Sequence, residues 1–78
     1  MAERLKDLKP GEAGEITGYE GNDPGYRSKL LAMGLTKGTT VQVVKVAPLG
    51  DPVEVAVRGF HLSLRKAEAD VLQIRRHS

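Results

Sequence analysis

The sequence predicts a small, mainly β barrel carrying one inserted helix. Three observations lead there. Apolar and polar residues alternate in short runs, turn residues separate the runs, and one stretch alone carries helical spacing. Nine of the 78 residues are glycine, and they fall at punctuating positions without forming a repeat. Short strands divided in this way suggest a small barrel.

Leu5 and Leu8 stand three apart ahead of a Pro10-Gly11 turn. That spacing suits one side of a short helical turn or two plugs at a barrel end. The first strand runs over residues 13–20, with Ile16 as its core residue and Gly14 and Gly18 flanking it. Asn22-Asp23-Pro24 then starts a helix. Asp23 caps free backbone N–H groups, and Pro24 fits the first helical position, where an N–H would be unpaired anyway. Tyr26, Leu30 and Met33 share one helical face, Leu31 widens it, and Gly34 is the left-handed stop. The helix covers about residues 24–33, and its apolar face is expected to lie over the barrel.

Residues 39–46 form a strand rich in β-branched side chains. Val41 and Val43 share one face, whereas Val44 and Val46 share the other. A regular strand cannot place all four in one core, so a bulge near Val43-Val44 must reset the phase and bend the strand. Residues 47–52 form a loop with two prolines. Val53, Val55 and Val57 alternate with Glu54, Ala56 and Arg58, and Phe60, Leu62 and Leu64 alternate with His61, Ser63 and Arg65. The apolar phase passes from odd to even across Arg58-Gly59. A two-residue hairpin turn does this and sets Val57 opposite Phe60. Residues 66–70 make a short helical turn in which Ala67 and Ala69 pack closely. A last strand over residues 71–76 turns Leu72 and Ile74 inward. The total is about five strands, in one domain spanning residues 1–78.

Composition narrows the function. Hydrophobic residues are 40% and charged residues 28%, the balance of a folded domain rather than a disordered chain. Cysteine is absent, which removes disulfides, thiolate metal sites and a cysteine nucleophile. The two histidines, His61 and His77, are too far apart in sequence for a local metal motif. Glu54 and His61 lie on outward faces of neighbouring strands, enough for a weak surface site at most, and no metal residue is assigned. His61 and Ser63 share a strand face without a third catalytic member, and no phosphate-binding Gly-x-x-x-x-Gly-Lys-Ser/Thr loop occurs. The chain reads as a non-enzyme that does not bind GTP itself. Twelve basic residues nearly balance ten acidic ones, and Tyr19, Tyr26 and Phe60 are the whole aromatic set. Both facts weigh against nucleic-acid binding. No apolar stretch is long enough to span a membrane and no signal segment is visible at the N-terminus, so a cytoplasmic protein is expected.

Four segments, taken in order, carry a family likeness. They are Leu8-Lys9-Pro10-Gly11-Glu12; Tyr26 to Leu35 with Gly38; Val46 to Val53; and Leu62-Ser63-Leu64-Arg65-Lys66. Their order and spacing resemble the FeoA family, ferrous iron transport protein A, over about residues 5–76. The resemblance implies an SH3-like β-barrel with an inserted helix. It also implies a cytosolic accessory that docks to and regulates the FeoB transporter, a membrane protein with a cytoplasmic GTP-binding domain. Ferrous iron is then the transported ion and not an intrinsic cofactor, and the protein sits at the inner membrane only through its partner. The competing class is a small-barrel nucleic-acid-binding module, or a detached SH3-like module of a metal-dependent regulator. This chain carries no helix-turn-helix for the latter.

Five residues are candidates for partner binding. Leu49 sits in a loop braced by Pro48 and Pro52. A stiff loop presenting one apolar residue makes a good anchor, because little entropy is lost on binding. The alternative is that the loop folds back and Leu49 caps the barrel mouth. Arg58 and Arg65 belong to a basic bias of the C-terminal half, which suits an acidic partner or the anionic inner membrane leaflet near a transporter. Arg27 is an arginine-finger candidate by analogy with GTPase activators, and Tyr26 is its neighbour.

Overall fold

The computed structural model describes residues 3–21 and 24–77. The helix start assigned to Asn22 and Asp23 lies outside the described residues. In chain order the elements are β1 (Glu3–Arg4), a 3-10 turn (Leu5–Asp7), β2 (Ala13–Tyr19), α1 (Pro24–Ala32), β3 (Thr40–Val46), β4 (Val53–Val57), β5 (Phe60–Leu64), α2 (Lys66–Val71) and β6 (Leu72–Arg76). Six strands form one antiparallel sheet in the order β1-β6-β2-β3-β4-β5. β1 is the strand missing from the sequence reading.

The register follows the phase of the valines. Val57 pairs with Phe60 across the Arg58-Gly59 turn, as the alternation requires. Both turn residues have positive φ, 50° at Arg58 and 86° at Gly59. That is the type I′ geometry whose twist matches the flanking strands. In β3 the register slips between Val43 and Lys45, so Val44 is the bulged residue. Val41 and Val43 are fully buried, Val44 is exposed and Val46 packs partly against the core. One extra residue turns two incompatible faces into one. A second bulge in β2, between Ile16 and Gly18, leaves Thr17 outside, where its hydroxyl donates to the Gln73 carbonyl at 3.3 Å. Gly14 lets β6 lie close: a Cβ there would stand 2.9 Å from the Arg75 carbonyl oxygen and collide with the Ile74 side chain.

The core is the inner face of the sheet closed by Leu5 and Leu8 at one end and by Leu30 and Leu35 at the helix. Gly34, at φ 87°, ends α1. Its N–H donates to the Leu31 carbonyl and that of Leu35 to the Leu30 carbonyl, each at 3.0 Å. This Schellman pattern brings Leu30 against Leu35 and buries both.

The helix face is narrower than its spacing implies. Leu30 is buried and Met33 partly so, but Tyr26 and Leu31 face solvent. The barrel is too small to cover more than the last turn of α1, so the expected stripe is only half used. Ala69 packs as expected, while Ala67 is exposed and its neighbour Glu68 is buried instead. Phe60 keeps its alternation but lies on a strand with a neighbour on one side only, and it is 44% exposed.

Candidate functional site

The loop between β3 and β4 is built to hold its tip out. The Gly50 N–H donates to the Ala47 carbonyl at 2.7 Å, closing a turn over Pro48 and Leu49. The Ala47 N–H donates to the Pro52 carbonyl at 3.1 Å and closes the base. The Asp51 carboxylate accepts the Lys66 N–H at 3.1 Å, tying the loop to the start of α2. Leu49 is 92% exposed on this frame. It does not cap the barrel. Instead it overhangs a groove of about 240 Å³ whose floor includes Leu5, Leu8, Val46, Val53 and Ala69. Asp70 also lines the groove, and its Oδ1 is buried without a hydrogen-bond partner among the described residues.

Arg65 stands at the entry to α2, where its N–H donates to Glu68 Oε1 at 2.9 Å. The structure therefore brings Arg65 to the Leu49 end of the molecule through the Asp51–Lys66 tie. Arg58 is at the other end of β4, and its guanidinium donates to the hydroxyls of Thr39 at 3.1 Å and Thr36 at 3.4 Å. Arg27 lies over the Tyr19 ring, 5.5 Å from its centroid, close enough for a cation–π contact. Burial raises the Tyr19 pKa, and the Arg27 charge opposes that shift. The Tyr19 hydroxyl donates to the Leu35 carbonyl. Tyr26 and Arg27 share α1 and do not line the groove under Leu49. The five candidates thus fall in three places, Leu49 with Arg65, Tyr26 with Arg27, and Arg58 alone, rather than in one patch.

Sequence reading missed the Lys29–Glu68 ion pair that joins α1 to α2. Glu68 is 4% exposed at its side chain. The hydrogen bond from Lys29 lowers its pKa most, burial opposes the shift, and the Arg65 N–H reinforces it. A glutamate three residues after Arg65 was the available signal, since a carboxylate there reaches back to the backbone at a helix start. No group of three or more His, Cys, Asp or Glu side chains able to hold a metal occurs among the described residues. Glu54 faces Ser63 and Ala56 faces His61 across β4 and β5, so Glu54 and His61 are diagonal neighbours. No helix among the described residues is long and apolar enough to cross a membrane.

Residues 3–76 match the model of the FeoA domain family. The chain is 35% identical over 71 residues to the Fe(2+) transport protein A/Fe(2+) transporter FeoB fusion protein of Porphyromonas gingivalis. That alignment covers 91% of this chain but only 8% of the relative's length. A crystal structure described as iron uptake regulatory protein (FeoA) superposes with a TM-score of 0.84 at 30% identity, covering 99% of both chains. Stenotrophomonas maltophilia FeoA, crystallised with zinc and described as an SH3 domain protein, gives a TM-score of 0.78 at 23% identity, covering 96% of this chain and 89% of that one.

Proposed function

This chain belongs to the FeoA domain family, and from that premise we propose that it is a non-enzymatic cytoplasmic accessory of ferrous iron uptake, docking to an FeoB-type transporter and regulating its GTP-binding domain. The fusion of an FeoA segment to FeoB in the P. gingivalis relative supports the choice of partner, because fused domains work at high effective concentration. The observation that carries the docking is Leu49, 92% exposed on a loop closed by two backbone hydrogen bonds and tied to α2. Its conformational cost is met in the fold, so burial against a partner is retained as affinity. Arg65 at the same end supplies charge for the rim, with Arg58, Arg27 and Tyr26 as further contacts around the barrel. Iron is the cargo of the transporter in this reading, and the accessory holds none.

Full-length transporter, with and without guanine nucleotide, is the bait for wild-type protein and Leu49→Ala. We expect the variant to melt at the wild-type temperature and to lose ~2 kcal/mol or more of binding. Arg65→Ala should mainly weaken the salt dependence. Unchanged binding by Leu49→Ala removes the anchor. Failure of the wild-type protein to bind under either nucleotide condition removes the partner.

A further inference from the structure

One edge of the sheet is open. β5 ends the strand order, and among the described residues no strand or helix other than β4 runs along it. The type I′ turn makes Val57 and Phe60 a hydrogen-bonded pair, so Leu62 and Leu64 also turn their backbone groups toward β4. The N–H and C=O groups of His61 and Ser63 consequently point outward. Neither residue has a hydrogen bond outside the β4 ladder among the described residues. Phe60–Leu64 holds no Asp, Glu, Lys or Arg, no proline and no bulge, the devices that normally blunt an edge. The half-exposed Phe60 ring stands at its start.

Charge selects what can add there. Arg58, whose guanidinium donates to the neutral Thr39 and Thr36 hydroxyls and so keeps its charge uncompensated, precedes the edge, and Arg65 and Lys66 follow it. None of the three is in an ion pair among the described residues. Nearby Asp51 and Glu68 accept backbone N–H groups, Glu68 is paired with Lys29 and feels the Arg65 charge, and Glu54 faces Ser63 from β4, so the positive excess lies at the strand ends rather than at its centre. A second copy added antiparallel about Leu62 would set Arg58 against Lys66 at both ends of the joint, which opposes self-pairing.

We propose that the β5 edge is a strand-addition site for an extended segment of a partner protein. The segment has alternating small apolar and polar residues at its centre and an Asp or Glu at each end. The acidic ends lie just beyond a strand that itself spans about 13 Å from Phe60 to Leu64 at ~3.3 Å per residue. Backbone hydrogen bonds to His61 and Ser63 supply affinity, a side chain against Phe60 adds apolar contact, and the flanking cations choose the partner. This site is distinct from Leu49 and does not depend on the transporter.

The test titrates isotope-labelled full-length protein with two synthetic peptides sharing the centre Val-Thr-Val-Thr-Val. One carries Asp-Glu at both ends and the other Lys-Lys. The acidic peptide should shift the amides of residues 60–64 and slow exchange of the His61 and Ser63 N–H groups. It should bind at least about tenfold more tightly than the lysine peptide. The double variant Arg58→Glu, Arg65→Glu should reverse that preference. Ser63→Pro removes only an outward N–H and should abolish binding while the protein stays folded. Ser63→Lys, a milder edge block, should weaken binding if the proline variant does not fold. Equal binding of the two peptides, shifts confined to another surface, or no shift with either overturns the proposal. So does a stable dimer in sedimentation that Ser63→Lys dissociates, because the occupant is then a second copy.

Discussion

The two edges of the sheet are finished in opposite ways. β1 is two residues long, and its surroundings are saturated with charge. Arg76 donates to Glu3 at 3.1 Å, to Glu12 at 3.2 Å and to the Asp7 carbonyl at 3.0 Å, while Arg4 pairs with Glu20. α2 and the Leu5–Asp7 turn pack beside this edge. β5 is five residues long, lacks fixed charge, and has cations at its ends that are in no ion pair among the described residues. A barrel of this size can protect an edge with short length and charge. The contrast teaches that the β1 edge serves stability and the β5 edge is free to serve recognition.

Substitutions can break that contrast, and the largest effect belongs to the closed side. Gly14→Ala forces a Cβ into the β6 backbone and Ile74, an overpacking that should cost about 3 kcal/mol. An unchanged midpoint in chemical denaturation would show that β6 can move away and that the closed side is loosely built.

Next comes Glu68→Ala, which unpairs Lys29 from α2 and frees the Arg65 N–H. Loss of a charged hydrogen bond in a buried setting should cost about 2 kcal/mol. The same group predicts a pH dependence. Its folded pKa is depressed, so its contribution is present above the unfolded value and is lost as pH falls through the folded value. Acid titration of the melting temperature should therefore be flatter in Glu68→Ala than in wild type. Parallel curves would mean that the Lys29 contact contributes nothing.

Arg76→Ala should cost only about 1 kcal/mol despite three acceptors, because the side chain is 39% exposed. High salt should shrink the difference from wild type. The smallest effect belongs to the open side. Arg58→Asn relieves a non-glycine residue at φ 50° while giving up one exposed and one half-buried hydroxyl contact, so the two effects offset and stability should change by less than about 0.5 kcal/mol. A loss comparable with that of Glu68→Ala would make Arg58 a structural brace and erase the contrast between the edges.

Much of the barrel was legible because its signals are local. Four valines on two faces of one strand demanded a bulge, and Val44 is the residue displaced. A change of phase across two residues demanded a tight turn, and Val57 does meet Phe60. Gly34 and Leu35 close the helix through bonds to carbonyls only three and five residues back, respectively. The candidate site was less legible. Leu49 in a proline-braced loop invited two readings, and only the closure of the loop over α2 left it outside the core.

The sequence by itself determined where strands begin, which way their side chains alternate and where the phase must break, since each follows from covalent neighbours and a fixed period. The tertiary structure alone decided whether a face, once formed, finds anything to cover it. Tyr26 and Leu31 keep their helical spacing yet stay in solvent, because the barrel mouth accommodates only Leu30 and part of Met33. Glu68 is buried because Lys29, 39 residues earlier in the chain, is brought beside it by the packing of α1 on α2. β1 is a strand only because Glu3 meets Ile74 from the far end of the chain. Two residues carry no period of their own, so no pattern within them could have foretold a partner so distant in sequence.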